Sequence, residues 1–147
     1  LAKVASGGEL SRIALAIAVT TSTGAAGADT ASGALIFDEI DAGVGGAVAE
    51  TVGRLMKQLG RDRQVLAVTH LPQVASQGHH HLRVAKLTDG KTTRTTISEL
   101  TMDERAEELA RMLGGLEVTG KAREHAREML QLAGNPDQKA RSSKRKA

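Results

Sequence analysis

Two short apolar runs flank a helical pattern in the first half of the chain. Residues 34–37 (Ala-Leu-Ile-Phe) and 64–69 (Gln-Val-Leu-Ala-Val-Thr) are bounded by turn-forming residues, which is typical of buried strands in a parallel sheet. Apolar positions in 47–59 recur at helical spacing, Gly60 follows as a stop signal, and 71–76 predicts a short helix. The predicted inner face of the long helix comprises Val48, Val52, Leu55, Met56 and Leu59. This order predicts two parallel strands joined by a right-handed crossover.

A further helix is predicted to begin near Ser6. Segment 6–12 (Ser-Gly-Gly-Glu-Leu-Ser-Arg) leads directly into an apolar run, with Ser6 and Glu9 at the spacing of a capping box. Because the helix is apolar nearly all round, we expect it to be buried. Its N-terminus, with Gly7 and Gly8, offers free backbone N–H groups and the positive end of the helix dipole, which favours a bound phosphate. An ordinary capped helix with a glycine-rich lead-in is the alternative interpretation.

The second half of the chain predicts a β-hairpin followed by two helices. Residues 82–87 and 91–100 are candidate strands, and Asp89-Gly90 is a two-residue hairpin signal, so we expect an antiparallel pair at the edge of the sheet. Residues 103–113 and a segment running from 117 or 119 to 133 have helical periodicity, and Gly114-Gly115 separates them. The predicted inner faces comprise Ala106, Leu109, Ala110 and Leu113 in the first helix, and Ala122, Ala126, Met129, Leu130 and Ala133 in the second.

Composition narrows the possible classes of protein. Phe37 is the only Phe, Tyr or Trp among the 147 residues, so the core must be aliphatic and no aromatic platform exists for stacking single-stranded nucleic acid. The net charge of +3 lies largely near the C-terminus, so we expect one domain over residues 1–134 and a basic, disordered tail over 135–147. The absence of cysteine excludes a disulfide framework and fits a cytoplasmic location. We expect no membrane span and no signal peptide, and the start at Leu1 suggests a fragment.

The candidate chemistry lies directly after the first predicted strand, in residues 38–46 (Asp-Glu-Ile-Asp-Ala-Gly-Val-Gly-Gly). Asp38 and Glu39 would stand at the carboxyl end of a parallel strand, where ligands bind in open α/β sheets. Two adjacent acids suit a cation and an activated water, and a solvated acidic turn is the alternative. His70 follows the second strand, so the carboxyl ends of both strands should face the same crevice.

Two other patterns are discounted on physical grounds. Residues 79–81 are three consecutive histidines, but adjacent residues on a strand point to opposite faces, so we expect solvated side chains rather than a metal site. Residues 115–121 match the spacing of the phosphate-binding P-loop. However, Ala122 stands where that loop needs Ser or Thr, and the stretch follows a predicted helix rather than a strand. We therefore expect no P-loop in this chain.

Three motifs in this order resemble those of ABC-type ATPases. Segment 6–12 resembles the signature motif, residues 35–39 resemble the Walker B strand with its catalytic glutamate, and Thr69-His70 resembles the switch histidine. Residues 41–46 sit where the D-loop belongs. Details of these motifs are most similar to SMC-like ATPases of bacterial DNA repair, whereas transporter ATPases have proline where this chain has Ile40. The resemblance covers nearly the whole chain before the tail.

The implied fold is α/β, namely the P-loop NTPase of the ABC/SMC head type in its C-terminal half. Parallel strands with flanking helices, an edge hairpin and C-terminal helices make up this half. Asp38 would hold the Mg²⁺ of MgATP, and Glu39 would orient and deprotonate the attacking water. His70 would contact the γ-phosphate.

The resemblance also implies partners. Ser6, Gly7 and Gly8 would contact the γ-phosphate of ATP held by the opposite head of a homodimer, and residues 42–45 would line the dimer seam. Gly45 replaces the usual final aspartate of the D-loop, which puts its contact across the dimer in doubt.

The Walker A motif of the family is missing from this chain, which would therefore pair with the N-terminal half of its own head. We expect the fragment alone to bind ATP weakly and not to hydrolyse it. The intact protein would act on DNA during double-strand break repair and recombination, in the cytoplasm at the nucleoid and without a membrane. The alternatives are another SMC-like or ABC ATPase head, or a non-catalytic structural module.

Overall fold

The computed structural model describes residues 7–22, 33–90, 92–115 and 117–134. The chain divides into two compact units, Leu1–Gln77 and Gly78–Ala147. The predicted contacts of Ser6 and the predicted disordered tail fall outside the described residues.

The first unit contains the predicted strand, helix and strand. Its elements in chain order are α1 (Gly7–Ser22), β1 (Leu35–Phe37), α2 (Gly46–Leu59), β2 (Val65–Ala67) and α3 (Pro72–Ala75). Strands β1 and β2 are parallel, with Leu35 opposite Val65 and Phe37 opposite Ala67. The parallel pairing and the helical crossover are therefore confirmed, and α2 ends at Gly60 as expected.

Helix α2 buries most of the predicted face in a hydrophobic core that is aliphatic except for Phe37. This core comprises Leu15, Phe37, Ile40, Ala49, Val52, Met56, Leu59 and Val74. Val48 departs from the prediction, since its side chain is exposed while Ala49 beside it is buried. The helix is turned toward α3 at Gly53, where an added Cβ would lie 2.8 Å from Gln77 Cγ and 3.2 Å from the carbonyl oxygen of Gln73. A glycine at this position lets the two helices approach closely.

The expectation that α1 is buried all round is wrong. Leu15 is buried, but Leu10, Ile13 and Ile17 are each more than half exposed. The strands show the same asymmetry, because Leu66 and Ile36 are exposed while Phe37 lies in the core. Helix α1 packs on α2 along one face only, and no described element of the unit covers its opposite face. The first unit thus carries an open apolar surface formed by Leu10, Ile13, Ile17, Ile36, Leu66 and Val68.

The second unit begins with an antiparallel hairpin. Strands β3 (Leu82–Thr88) and β4 (Thr93–Glu99) pair from Leu82 opposite Glu99 to Thr88 opposite Thr93. Strand pairing ends at Thr88, so residues 89–92 form the connection rather than two residues. Asp89 and Thr92 are joined across it, by a hydrogen bond from Asp89 N to the Thr92 carbonyl at 3.2 Å and by one from Thr92 N to Asp89 Oδ1 at 2.9 Å. Among the described strands the hairpin forms a sheet of its own, so its expected place at the edge of the parallel sheet is wrong.

Two helices complete the second unit. Thr101 begins α4 (Met102–Gly114) with a reciprocal capping box to Glu104, and Gly115 ends it with φ of 68°. Helix α5 (Gly120–Gly134) follows and packs on α4. The described members of the predicted faces that are buried are Ala106, Leu109, Ala110, Ala126 and Ala133. Residues 115–121 follow a helix, which confirms the argument against a P-loop.

None of the helices in the described ranges is long and apolar enough to cross a membrane.

Candidate functional site

A tight turn directly after β1 carries the two predicted acids. Asp38 and Glu39 are both exposed, and no other described group hydrogen-bonds or ion-pairs with either carboxylate. The turn is closed by hydrogen bonds from Ala42 N to the Glu39 carbonyl at 3.0 Å and from Val44 N to the Asp41 carbonyl at 3.2 Å. Glu39 has φ of 54°, a left-handed conformation that is uncommon for residues other than glycine. Strained residues of this kind cluster at functional sites, where the surrounding contacts hold them in place.

Helix α1 supplies some of those contacts. The Ser11 hydroxyl donates a hydrogen bond to the carbonyl of Asp38 at 2.8 Å. Arg12 Nη1 donates to the carbonyl of Ala42 at 2.9 Å and to that of Ile40 at 3.3 Å. Side chains from the first turns of α1 therefore satisfy backbone groups of the turn that the β1–β2 pairing leaves open.

The two glycines at the start of α1 lie against Glu39 of the same chain. A Cβ at Gly8 would lie 2.8 Å from the Glu39 carbonyl oxygen and 2.9 Å from Ala42 Cβ. A Cβ at Gly7 would lie 3.0 Å from Glu39 Oε2. The absence of a side chain at these positions is what lets the helix end approach the acidic turn. The sequence pattern predicts a phosphate at both glycines and carries no signal for this contact.

Asp41 joins the acidic turn to the end of β2. Its side chain is almost fully buried, and its Oδ2 accepts hydrogen bonds from the Thr69 hydroxyl, from His70 N at 3.0 Å and from Leu71 N at 3.3 Å. The same oxygen lies 3.3 Å from His70 Nδ1. The carboxyl ends of β1 and β2 thus meet in one place, as predicted. Sequence reasoning assigned no chemical role to Asp41, although an acid beside a buried strand end needs partners of this kind.

His70 combines a fixed backbone with an accessible side chain. Its N–H is bound by Asp41, whereas its imidazole is 74% exposed. The corner therefore carries an exposed imidazole and two exposed carboxylates, those of Asp38 and Glu39. These groups suit hydrogen bonding to an anion, binding of a cation and removal of a proton from water.

The donor set fits Mg²⁺ better than a transition metal. The described residues contain no group of three or more His, Asp or Glu side chains that would hold a metal ion by themselves. Protein-bound Mg²⁺ needs only one or two carboxylates, because waters and substrate phosphates supply the remaining oxygens. An exposed carboxylate such as Asp38 meets that requirement.

The three histidines of the second unit differ from one another. His79 and His80 are exposed, and His80 Nδ1 lies 2.7 Å from Glu99 Oε1. His81 is partly buried, so the expectation that all three are solvated is wrong for this residue. Burial lowers the pKa of His81, and the nearby Arg105 cation lowers it further, whereas Glu108 opposes the shift. The partial burial follows from the backbone, because the Arg105 guanidinium donates to the carbonyls of residues 78 and 79 and draws this segment onto α4.

A wide depression in the second unit carries no convergent chemistry. Its volume is about 600 Å³, and its walls mix acids with arginines. Glu108 already pairs with Arg111 through two hydrogen bonds of 2.6 and 3.0 Å. The corner around Asp41 is therefore the candidate site.

The chain is similar over most of its length to curated bacterial proteins named "DNA repair protein RecN". It is 52% identical over 132 residues to the Haemophilus influenzae protein, covering 90% of this chain and 23% of that protein. It is 50% identical over 131 residues to a Xylella fastidiosa protein, covering 89% of this chain and 23% of that protein. It is 49% identical over 130 residues to the Deinococcus radiodurans protein, covering 88% of this chain and 22% of that protein. The chain thus spans less than a quarter of the length of these relatives. No family model matches the chain.

The fold is similar to that of a solved chain described under "Structural biochemistry of ATP-driven dimerization and DNA stimulated activation of SMC ATPases". The superposition has a TM-score of 0.54 at 21% sequence identity and covers 77% of this chain and 65% of that chain. The mixed α/β fold predicted from the sequence is therefore confirmed, and it is similar to the fold of that chain.

Proposed function

We propose that this chain, a homologue of the RecN proteins over nine tenths of its length, supplies one part of an ATP-hydrolysing head that serves DNA repair. The observation that carries the proposal is the corner where β1 and β2 end. Asp38 and Glu39 follow one strand, His70 follows the other, and Asp41 ties the two ends together. The likeness in sequence to RecN and in fold to SMC ATPases supports a nucleotide as the ligand proposed for this corner.

The exposed groups of the corner take separate roles in this proposal. The Asp38 carboxylate binds Mg²⁺, which when bound neutralises charge on the phosphates. Glu39 orients the attacking water and accepts its proton, and the hydrogen bonds that hold its turn fix the position of the carboxylate. The His70 imidazole donates a hydrogen bond to the γ-phosphate. Phosphoryl transfer depends mainly on such positioning and charge stabilisation.

The open apolar surface of the first unit supports the proposal that another segment of the same protein packs against it. Leu10, Ile13 and Ile17 of α1 are exposed beside Ile36 of β1, and an open groove of about 340 Å³ lies between helix and strand. Continuous apolar runs on parallel strands are typical of sheets covered on both faces. We propose that the N-terminal half of the head, which supplies the Walker A motif, covers this surface. The length of the relatives, more than four times the matched segment, leaves ample chain for it.

Dimerisation and action on DNA are proposed for the whole protein rather than for this segment alone. Two heads dimerise on ATP, and Ser6, Gly7 and Gly8 of one head face the γ-phosphate in the other. The lining of the seam by residues 42–45 and the work on DNA at the nucleoid are part of the same proposal. Its support is the name of the relatives and the ATP-driven dimerisation stated for the structurally similar SMC ATPase.

The test is the substitution Glu39→Gln in the full-length protein that carries this segment. We expect ATP hydrolysis to collapse while ATP-bound dimers accumulate, because the amide keeps the shape but cannot accept the proton. Glu124→Gln on the exposed side of α5 is the matched control and should leave hydrolysis unchanged. Hydrolysis that survives Glu39→Gln would favour the alternative of a non-catalytic module. The 147-residue chain alone should release no phosphate, and robust turnover by it would contradict the missing-half proposal.

A further inference from the structure

Asp41 is a buried carboxylate for which the sequence predicts no role. Only 2% of the residue is exposed, so its carboxyl oxygens depend on hydrogen-bond donors from the protein. All of those donors lie in Thr69, His70 and Leu71 at the end of the neighbouring strand, and all contact the single oxygen Oδ2. A carboxylate that served only to close its own turn would not require donors from residues about thirty positions away in sequence.

We propose that Asp41 is the positioning residue of His70, holding the imidazole in place and coupling it to the turn that carries Glu39. The proposal rests on the proposed function, since it assigns His70 a phosphate to contact. Two contacts of Oδ2 carry it. The hydrogen bond from His70 N at 3.0 Å holds the backbone, and His70 Nδ1 lies 3.3 Å from the same oxygen.

The ring contact determines which imidazole nitrogen faces the ligand. Because Nδ1 lies 3.3 Å from the Asp41 carboxylate, Nε2 is the ring nitrogen on the far, exposed side of the imidazole. Carboxylates orient catalytic imidazoles in the same way in hydrolytic triads, without taking the proton themselves.

The backbone of Asp41 provides the coupling. Its carbonyl accepts a hydrogen bond from Val44 N at 3.2 Å, within the same turn in which Glu39 adopts φ of 54°. A displacement of His70 therefore moves Asp41, and with it the turn that orients Glu39. Hence the proposed base and the proposed phosphate sensor move as one unit, although they follow different strands.

The experiment is a double-substitution cycle of Asp41→Asn and His70→Ala in the full-length protein that carries this segment, measuring kcat and KM for ATP. Asparagine keeps an oxygen for the backbone donors but removes the charge that faces Nδ1. We expect Asp41→Asn to lower kcat at least about tenfold while KM changes less than about threefold. The double variant should be no slower than His70→Ala alone, because the two residues act as one. The control Asp62→Asn, an exposed acid in the loop before β2, should be unchanged.

The outcomes distinguish this inference from the proposed function. If Asp41→Asn keeps wild-type kcat, or if its effect adds in full to that of His70→Ala, the positioning role is wrong. A Glu39→Gln collapse in the same preparation would leave the proposed function intact in either case. Should Asp41→Asn not fold by circular dichroism, Asp41→Glu replaces it in the cycle. That variant keeps the charge but shifts the oxygen, so it should lower kcat in the wild-type background and not in the His70→Ala background. An equal fall in both backgrounds would overturn the proposal.

Discussion

Ile40 and Ile36 form a matched pair for testing how burial stabilises the first unit. They are the same residue type, four positions apart, on either side of the end of β1, but Ile40 is 0% exposed and Ile36 is 68% exposed. Ile40→Ala removes buried carbons worth roughly 2.4 kcal/mol at about 0.8 kcal/mol per carbon, and the cavity left behind raises the cost to about 3–4 kcal/mol. With about a third of its surface buried, Ile36→Ala should cost less than about 1 kcal/mol.

The assay is amide hydrogen exchange of α2 in the 147-residue chain. It reports opening of the first unit by itself, which matters because two compact units need not unfold together. A cost of about 3–4 kcal/mol predicts exchange faster by about 100- to 1,000-fold for Ile40→Ala, against less than about fivefold for Ile36→Ala. Equal acceleration by the two substitutions would refute the assignment of Ile40 to the core and Ile36 to the open apolar surface.

The same pair tests whether that surface is covered in the whole protein. In the full-length protein the cost of Ile36→Ala should rise toward that of Ile40→Ala, since burial then adds to its effect. Exchange of α2 measured in the longer protein is the readout. An Ile36→Ala cost that stays below about 1 kcal/mol there would contradict the proposed N-terminal cover.

Two further predictions concern the glycine contact and the buried histidine. Gly8→Ala should lower kcat for ATP hydrolysis in the full-length protein more than Gly7→Ala, because its Cβ meets the backbone oxygen of Glu39 at 2.8 Å rather than a movable side chain. Overpacking of this kind costs about 1–3 kcal/mol, and equal losses of kcat would contradict the contact. Burial lowers the pKa of His81, so the unfolded chain binds its proton more readily and the second unit loses stability as pH falls below 6.5. Amide exchange of α4, measured between pH 7 and about pH 5, is the readout. His81→Gln should weaken the loss of stability on acidification, whereas His79→Gln, on the exposed side of the same segment, should leave it unchanged. Identical pH profiles for the two variants would contradict the prediction.

The local pattern of the sequence determined which helices and strands form and which strand end each site residue follows. Helical spacing before Gly60 and the apolar runs beside it predicted β1, α2 and β2, because strand and helix periodicity depend on neighbouring residues alone. Parallel strands bring their carboxyl ends to one edge, so the meeting of the acidic turn with His70 followed from the same pattern. Gly115 ended α4 as predicted, since a left-handed backbone favours glycine wherever it occurs.

Tertiary structure alone decided which groups are buried and which partners they find. The apolar run of α1 indicated burial on all sides, yet burial depends on how many elements pack against a helix, and α2 covers one face. In the sequence Asp41 is one more acid of a turn, and only the fold brings residues 69–71, about thirty positions away, to it as hydrogen-bond donors. The closeness of Gly8 to Glu39 likewise joins segments that no local periodicity connects. Local chemistry specifies what each segment becomes, whereas the energy of a buried charge or an apolar face depends on the segment that comes to lie against it.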